Sequence, residues 1–307
     1  MATNLSELLV IGVSSRALFD LEEENAIFET EGIEGYRRYQ EQHEATLLDK
    51  GTAFPLVERL LALNALASSP IVEVVVMSRN SPLTGVRIMN SLRTYGLQIT
   101  RMAFSGGEPL APYIDAFDVD LFLSRDPKDV LSVIDSSRCA AAHICDPPDD
   151  FDPSDGRVKI AFDADAVLFS EDSEFRYKTE GIAAFHKFES DNENIPLPEG
   201  PFANLLVKLS KIQELLPTRI ELSPLRIAIV TARSAPSHMR VVHTLRKWGV
   251  YVDEAYFLGG LSKDAVLKAF GAQIFFDDQE LHTASASRHV PTGKVPYRSD
   301  SPMHKLD

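Results

Sequence analysis

The sequence predicts an α/β fold built from two Rossmann-like parallel-sheet units related by internal duplication, the second carrying a small cap insert. Three observations carry this. Short apolar runs alternate with stretches of helical periodicity, the pattern of a parallel sheet covered by helices on both faces. A chain of 307 residues is long for a single core and suits two units. Segments also recur in the same order half a chain apart. Ser91-Leu-Arg-Thr-Tyr-Gly96 falls on Thr244-Leu-Arg-Lys-Trp-Gly249, Phe104-Ser-Gly-Gly107 on Phe257-Leu-Gly-Gly260, and Leu121-Phe-Leu123 on Ile274-Phe-Phe276, all at an offset of 153. Ala17-Leu-Phe19 falls on Val167-Leu-Phe169 at 150, and Thr30-Glu-Gly-Ile33 on Thr179-Glu-Gly-Ile182 at 149. A domain-sized period marks two copies of one unit rather than a solenoid.

In the first copy, Leu8 to Val13 reads as a buried strand followed by Ser14-Ser15-Arg16. Glu22 to Gln42 is highly charged, with Ile27, Phe28, Ile33, Tyr36 and Tyr39 on one face of one or two helices. Pro55 to Leu66 has helical periodicity with Pro in its first turn. Val72 to Met77 reads as a strand and Ser78-Arg-Asn-Ser-Pro as the polar turn after it. Thr84 to Tyr95 is a helix closed by Gly96, and Ile99 to Phe104 a strand. Gly106-Gly107 makes a turn, Pro109 to Ala116 a short helix, and Val119 to Leu123 the next strand. Asp146 to Gly156, acidic and proline-rich, reads as a linker between a first unit over 1–148 and a second over 157–290.

The second copy opens on the strand Val158 to Phe162, which ends in Asp163 and Asp165. In a continuing strand residues i and i+2 share a face, so the two carboxylates would need a cation or a shared proton between them. An isolated D-x-D is equally a solvated strand end. A charged region over Ser170 to Thr179, a helix near Gly181 to Phe188, the loop Asp191 to Pro201 and a helix from about Phe202 to Leu216 follow. They fill the interval before Thr231 and suit a cap over about 171–222. Ile227 to Val230 is a strand ending in Thr231-Ala-Arg233, Met239 to Trp248 a helix closed by Gly249, and Glu254 to Leu258 a strand. Gly259-Gly260-Leu-Ser-Lys263 opens a helix that Gly271 ends, and Ile274 to Phe276 is a strand ending in Asp277-Asp278. From Arg288 on, including a tail over 291–307, periodicity is lost and the chain is expected to be extended or frayed.

Hydrophobic residues at 44% and charged residues at 25% are ordinary for a globular protein. A net charge of −14 argues against nonspecific nucleic-acid or anionic-membrane partners. A small anionic substrate stays open, because a metal or an arginine cluster inverts the local field. Cys139 and Cys145 form no C-x-x-C pair, and buried structural thiols are favoured over a metal site with His143. Met1 to Val10 carries Glu7 and lacks the basic and apolar regions of a signal peptide, and no apolar run reaches membrane-spanning length. A cytoplasmic location is expected.

The copies differ where chemistry would sit. Val13 and Ser15 stand in place of Asp163 and Asp165, Ser78 in place of Thr231, Leu110 in place of Lys263, and Ser124 and Arg125 in place of Asp277 and Asp278. A set that disappears together behaves as one chemical unit, so the second half is expected to carry the reaction. Its four pieces lie at strand ends that converge on one sheet edge. Carboxylates gathered there suit Mg²⁺, while Thr231, the N–H groups after it and Lys263 can hold phosphate oxygens. That set fits phosphoryl transfer through a carboxylate nucleophile.

The order D-x-D-x-V, strand plus Thr, Lys, then F-F-D-D resembles the haloacid dehalogenase superfamily of phosphohydrolases. More narrowly, IAFDADAVLFSEDSE, IVTARSAP and IFFDDQ are similar to the cytosolic 5′-nucleotidase I family, and SRALFDLEE, FPLVERLLALN and SRNSP extend the similarity into the first half. The resemblance implies Mg²⁺-dependent hydrolysis of nucleoside 5′-monophosphates, AMP among them. It implies Asp163 as the nucleophile that becomes an aspartyl-phosphate, and Asp165 as general acid and then base. Metal ligands would come from Asp163, the Asp165 carbonyl and Asp277, with Asp278 ligating or orienting the ion. Thr231 and Lys263 would bind the phosphoryl group, Lys268 being the rival lysine.

Phe185, His186 and Phe188 are candidates for contact with the base, against a helix face packed on the core. Arg233 either meets phosphate or caps a turn. In the first copy Ser14, Ser15, Arg16, Ser78, Arg79 and Arg125 could hold a phosphate without metal, as a regulatory nucleotide pocket suggested by the family's activation by nucleotides, or as an arm toward the other half. Structural ion pairs are the alternative. The competing functions are a phosphatase or phosphotransferase on another small ester, and a nucleotide-sensing protein. A dinucleotide-binding site is excluded by the lack of G-x-G-x-x-G after any strand. Base and sugar preference, effector identity and assembly into a homo-oligomer are left open.

Overall fold

The structure, a computed structural model, describes residues 4–149, 151, 155–217 and 223–306. The chain runs β1 (Leu9–Val13), α1 (Ser15–Leu18), α2 (Glu22–Gln42), α3 (Phe54–Ala62), β2 (Val72–Ser78), α4 (Val86–Thr94), β3 (Arg101–Phe104), β4 (Leu121–Ser124), α5 (Pro127–Ser136) and β5 (Ala140–Ile144). It continues through β6 (Val158–Phe162), α6 (Asp172–Glu180), α7 (Ile182–Asp191), α8 (Ala203–Leu215), β7 (Leu225–Thr231), α9 (His238–Trp248), β8 (Glu254–Phe257), α10 (Asp264–Phe270), β9 (Ile274–Asp277), α11 (Glu280–Ala286) and β10 (Thr292–Lys294). The α/β expectation holds, with a large and mostly parallel sheet.

The strands form one ten-stranded sheet in the order β3-β2-β1-β4-β5-β10-β9-β6-β7-β8. Every neighbouring pair is parallel except β5 with β10, whose antiparallel pairing (Gly293 opposite Ile144) joins the halves. From each outer edge inward the order is the same, β3-β2-β1-β4 and β8-β7-β6-β9. β1 and β6 are central and buried along almost their whole length, which is why they read as continuous apolar runs. One apolar cluster runs through both halves, from Leu9 and Val74 to Ile160 and Phe276.

Several expectations change. The segment after Arg288 is not frayed. Thr292, Val295 and Met303 are buried, and β10 pairs with β9 and β5. A three-residue strand is too short to show periodicity, and its burial comes from the sheet neighbours it finds. α5 and β5 went unread. The former begins with Asp126, whose side chain accepts from Lys128 N, and Pro127 at its first position. β5 is mostly alanine, which has little strand propensity, and is extended because two neighbours hold it. The charged stretch from Ser170 is largely α6, which Gly181 (φ 83°) separates from α7. The expected linker falls partly on residues 150 and 152–154, and the expected cap partly on 218–222, outside the described residues. Both cysteines are free, and burial raises both thiols, Cys145 to about 11.

Candidate active site

The site begins where β6 stops. After Phe162 the chain leaves the extended path: Asp163 and Asp165 stay extended, but Ala166 between them and Val167 adopts φ 57°, a left-handed conformation rare for a residue with a Cβ. The strand ends at Phe162 and a helical turn begins at Ala164, between the two acids, so they do not follow the alternation of a continuing strand. They take different cations instead. Asp163 Oδ1 lies 2.8 Å from Lys263 Nζ, while Asp165 receives Arg233 Nε at 2.8 Å and Nη2 at 2.6 Å in a bidentate pair.

Lys263, just before α10, is buried and also donates to Asp277 Oδ2 at 2.6 Å. Lys268, farther along α10, is exposed. Asp277 closes β9, and its Oδ2 lies 3.3 Å from His282 Nδ1. The carboxylates of Asp163, Asp277 and Asp278 are buried, with one oxygen of each within 4.8 Å of the others. Asp278 accepts from the Tyr297 hydroxyl, which also donates to Glu174 at 3.3 Å. Thr231, buried at the end of β7, accepts at Oγ1 from Arg233 N at 3.2 Å.

Burial dominates the electrostatics. It raises Asp163 to about 7, with Lys263 opposing and Asp277 and Asp165 adding to the rise. Asp278 is pushed well above the carboxylate range by burial, Glu174 and Asp277. Burial would also raise Asp277, but Lys263 and His282 outweigh it and leave it below the usual value. Lys263 goes the other way: burial disfavours its charge, and Asp163 with Asp277 more than restore it.

Three buried carboxylates face one ammonium, and Asp278 Oδ1 has no hydrogen-bond partner among the described residues. Like charges this close require either a bound proton, as the raised Asp163 and Asp278 show, or more cation. An all-oxygen donor set of this kind fits a hard divalent ion such as Mg²⁺.

A second network backs the site. Arg233 Nη1 donates to Glu189 Oε2 at 2.5 Å, and Glu189 Oε1 accepts from Arg240 at 3.0 Å and Ser173 at 2.9 Å. Glu189 comes from α7 and Ser173 from α6, so the helical hairpin is tied to Asp165 through one arginine. Arg233 is thus committed to carboxylates. Phe185 is buried, 5.3 Å beneath the Arg233 guanidinium and edge-on to Tyr177, while His186 is half-buried beside it. Phe188 packs under Arg176 and Arg240. In the first half, Arg79 pairs with Asp129, and Arg125 pairs with Glu22 at 3.1 Å and Asp146 at 2.5 Å.

Sequence reasoning missed Glu174, Glu189, His282 and Tyr297. Glu174 lies in a stretch read only as charged, Glu189 just past a short helix, and Tyr297 in the aperiodic tail. A cavity of about 610 Å³ borders the site through Ala166 and Tyr297, with Ser170, Asn204 and Arg298 in its walls. It does not include the acid cluster itself.

The family model for 5′-nucleotidase matches residues 1–302. Human cytosolic 5′-nucleotidase 1B is 36% identical over 289 residues, which cover 91% of this chain and 47% of that protein. The chain thus spans about half the length of this curated relative. On the match over nearly its whole length, the chain belongs to the 5′-nucleotidase family.

Proposed function

We propose that this chain is a Mg²⁺-dependent 5′-nucleotidase that hydrolyses nucleoside 5′-monophosphates, AMP among them, through an aspartyl-phosphate at Asp163. The observation that carries the reading is the buried Asp163–Asp277–Asp278 cluster closed by Lys263 at one end of the sheet. Asp163, Asp277 and Asp278 would hold the ion, with the Asp165 carbonyl. Once bound, it would neutralise the acids and the phosphoryl oxygens as charge develops on them.

The ionised Asp163 carboxylate attacks phosphorus, forming a P–O bond as the bond to the 5′-oxygen breaks. Asp165 hands that oxygen a proton, giving the free nucleoside. Asp165 then takes a proton from water, whose oxygen attacks the phosphorus of the acyl phosphate and returns Asp163 with release of phosphate. Thr231 and Lys263 hold the remaining phosphoryl oxygens throughout. In its bidentate pair with Arg233, Asp165 has both oxygens occupied. Turning toward the leaving oxygen therefore requires one of those bonds to open.

The finer architecture is part of the same reading. The matching strand orders from either edge support an internal duplication, with 1–148 a non-catalytic copy and 157–290 the catalytic one. Support for a cap comes from the hairpin α6–α7, whose Glu174 and Glu189 meet Tyr297 and Arg233, the partners of Asp278 and Asp165. A cytoplasmic location draws on the printed name of the human relative, and among the described residues no helix is long and apolar enough to cross a membrane. The test is phosphate release from a panel of nucleoside monophosphates and other small phosphate esters, with Mg²⁺ or chelator and with or without a nucleoside acceptor. Release confined to nucleotides and dependent on Mg²⁺ supports the proposal; equal turnover of unrelated esters, or metal-independent turnover, refutes it.

A further inference from the structure

The first half has its own cavity of about 350 Å³ at the C-terminal ends of β1, β2 and β4, which the antiparallel β5–β10 pairing places at the opposite end of the sheet from the acid cluster; the volume is within the range of small-molecule sites. Its walls include a helical hairpin like the one that Arg233 ties to Asp165. In α2 the helix breaks at Gly32 (φ 69°), as α6 and α7 break at Gly181 (φ 83°). Phe28 meets the buried Tyr36 edge-on at 6.0 Å, and Tyr177 meets the buried Phe185 edge-on at 6.2 Å. Beside these pairs Phe28 and Ile33 are 48% and 63% exposed, and Tyr177 and Ile182 are 48% and 56% exposed. Each half thus presents an aromatic and an isoleucine, uncovered, on the same helical hairpin.

The floors differ. In place of acids and a lysine, the first cavity has the hydroxyls of Ser14, Ser15, Ser78 and Ser124, with Ser15 and Ser78 3.0 Å apart. Its cations are already paired: Arg16 with Glu22 at 3.1 Å and Arg79 with Asp129. Glu24, Asp126 and Asp129 line it as well, so carboxylates outnumber arginines. A phosphate dianion would meet those acids and would have to break existing ion pairs. Two buried donors of the lining are left over among the described residues, Arg16 Nε, on a guanidinium whose charge Glu22 already meets, and Asn80 Nδ2. Asn80 lines the cavity, accepts from the Tyr36 hydroxyl at 2.9 Å, and has a buried Nδ2 with no hydrogen-bond partner among the described residues. A buried donor without an acceptor costs free energy that a ligand acceptor would recover.

We propose that this cavity binds an uncharged nucleoside: its base lies against Phe28 and Ile33 with an acceptor at Asn80 Nδ2, and its sugar hydroxyls meet the serines. The proposal rests on the 5′-nucleotidase reading for its ligand class, since a nucleoside is that reaction's product. It departs from the expectation of a phosphate held by Arg79 and Arg125.

The test is photolabelling of the full chain with purine and pyrimidine azidonucleosides, followed by peptide mapping, with parent nucleosides, their 5′-monophosphates and inorganic phosphate as competitors. Label is expected in α2 (22–42), displaced by nucleoside at lower concentration than by monophosphate, and unaffected by phosphate. Asn80→Ala and Phe28→Ala should each raise the competing nucleoside concentration about fivefold or more while leaving hydrolysis at saturating substrate unchanged. Circular dichroism of each variant checks that it is folded, and Asn80→Asp gives a second substitution of nearly the same size. Label absent from α2, or displaced as well by monophosphate as by nucleoside, overturns the proposal. If hydrolysis is intact while α2 is unlabelled, only this inference fails. If α2 is labelled and hydrolysis is absent, the enzymatic reading fails instead.

Discussion

Arg233 is the residue whose removal the structure makes most quantitative. It is buried, gives two hydrogen bonds to Asp165 and one to Glu189, and lies over Phe185. In Arg233→Met a side chain of similar length keeps most of the packing while the charge disappears. The Glu189 side chain, fully buried, then keeps only Arg240 and Ser173. Removing one partner of a buried ion pair costs about 3–5 kcal/mol. The remaining Arg240 contact puts the expected loss at the lower end, about 3 kcal/mol. Asp165 is better hydrated and adds about 1 kcal/mol or less. Urea unfolding in the presence of chelator measures this directly. Adding Glu189→Gln to Arg233→Met removes the stranded charge, so the double variant should be less destabilised than the sum of the singles by about 1–3 kcal/mol. Strict additivity would mean that the pair does not hold the hairpin to the site.

Other outcomes follow from the same geometry. Protons occupy Asp163 below about 7 and must leave before it ligates a cation, so Mg²⁺ affinity should tighten by about tenfold or more from about pH 5.5 to about pH 7, as read by calorimetry. A flat profile would contradict the raised Asp163. Lys263→Met should lower kcat by about a hundredfold or more, whereas Lys268→Met, on an exposed position, should change stability by about 0.5 kcal/mol at most and leave kcat as it is. Equal effects of the two would remove Lys263 from its assigned role.

The central strands were legible because burial on both faces demands runs such as Val74-Val75-Val76 and Ile227-Ala-Ile-Val230, with no polar alternation to confuse them. The acids were legible because each sits at a strand end, where the order of elements brings distant segments together. What sequence could not give was direction. The D-x-D spacing suggested two carboxylates on one face, but the strand gives way to a turn at Ala164, and the two acids go to Lys263 and Arg233. Nor could spacing reveal that Tyr297 would return to Asp278, since its neighbours carry no period. β5 failed for the reason alanine-rich strands do: its pairing partners, not its side chains, decide its conformation. Charge alone gave no sign of burial: Glu174 and Glu189 are buried in the fold, paired with groups far away in the chain.

The account stands most directly on where phosphate goes during turnover. Acid quenching of the enzyme during hydrolysis of a 5′-³²P-labelled nucleoside monophosphate, followed by peptide mapping, should place an acid-stable, hydroxylamine-labile label on the peptide containing Asp163. No label should form in Asp163→Asn, which should not turn over. Undiminished hydrolysis by Asp163→Asn, or label mapped to another residue, would contradict it.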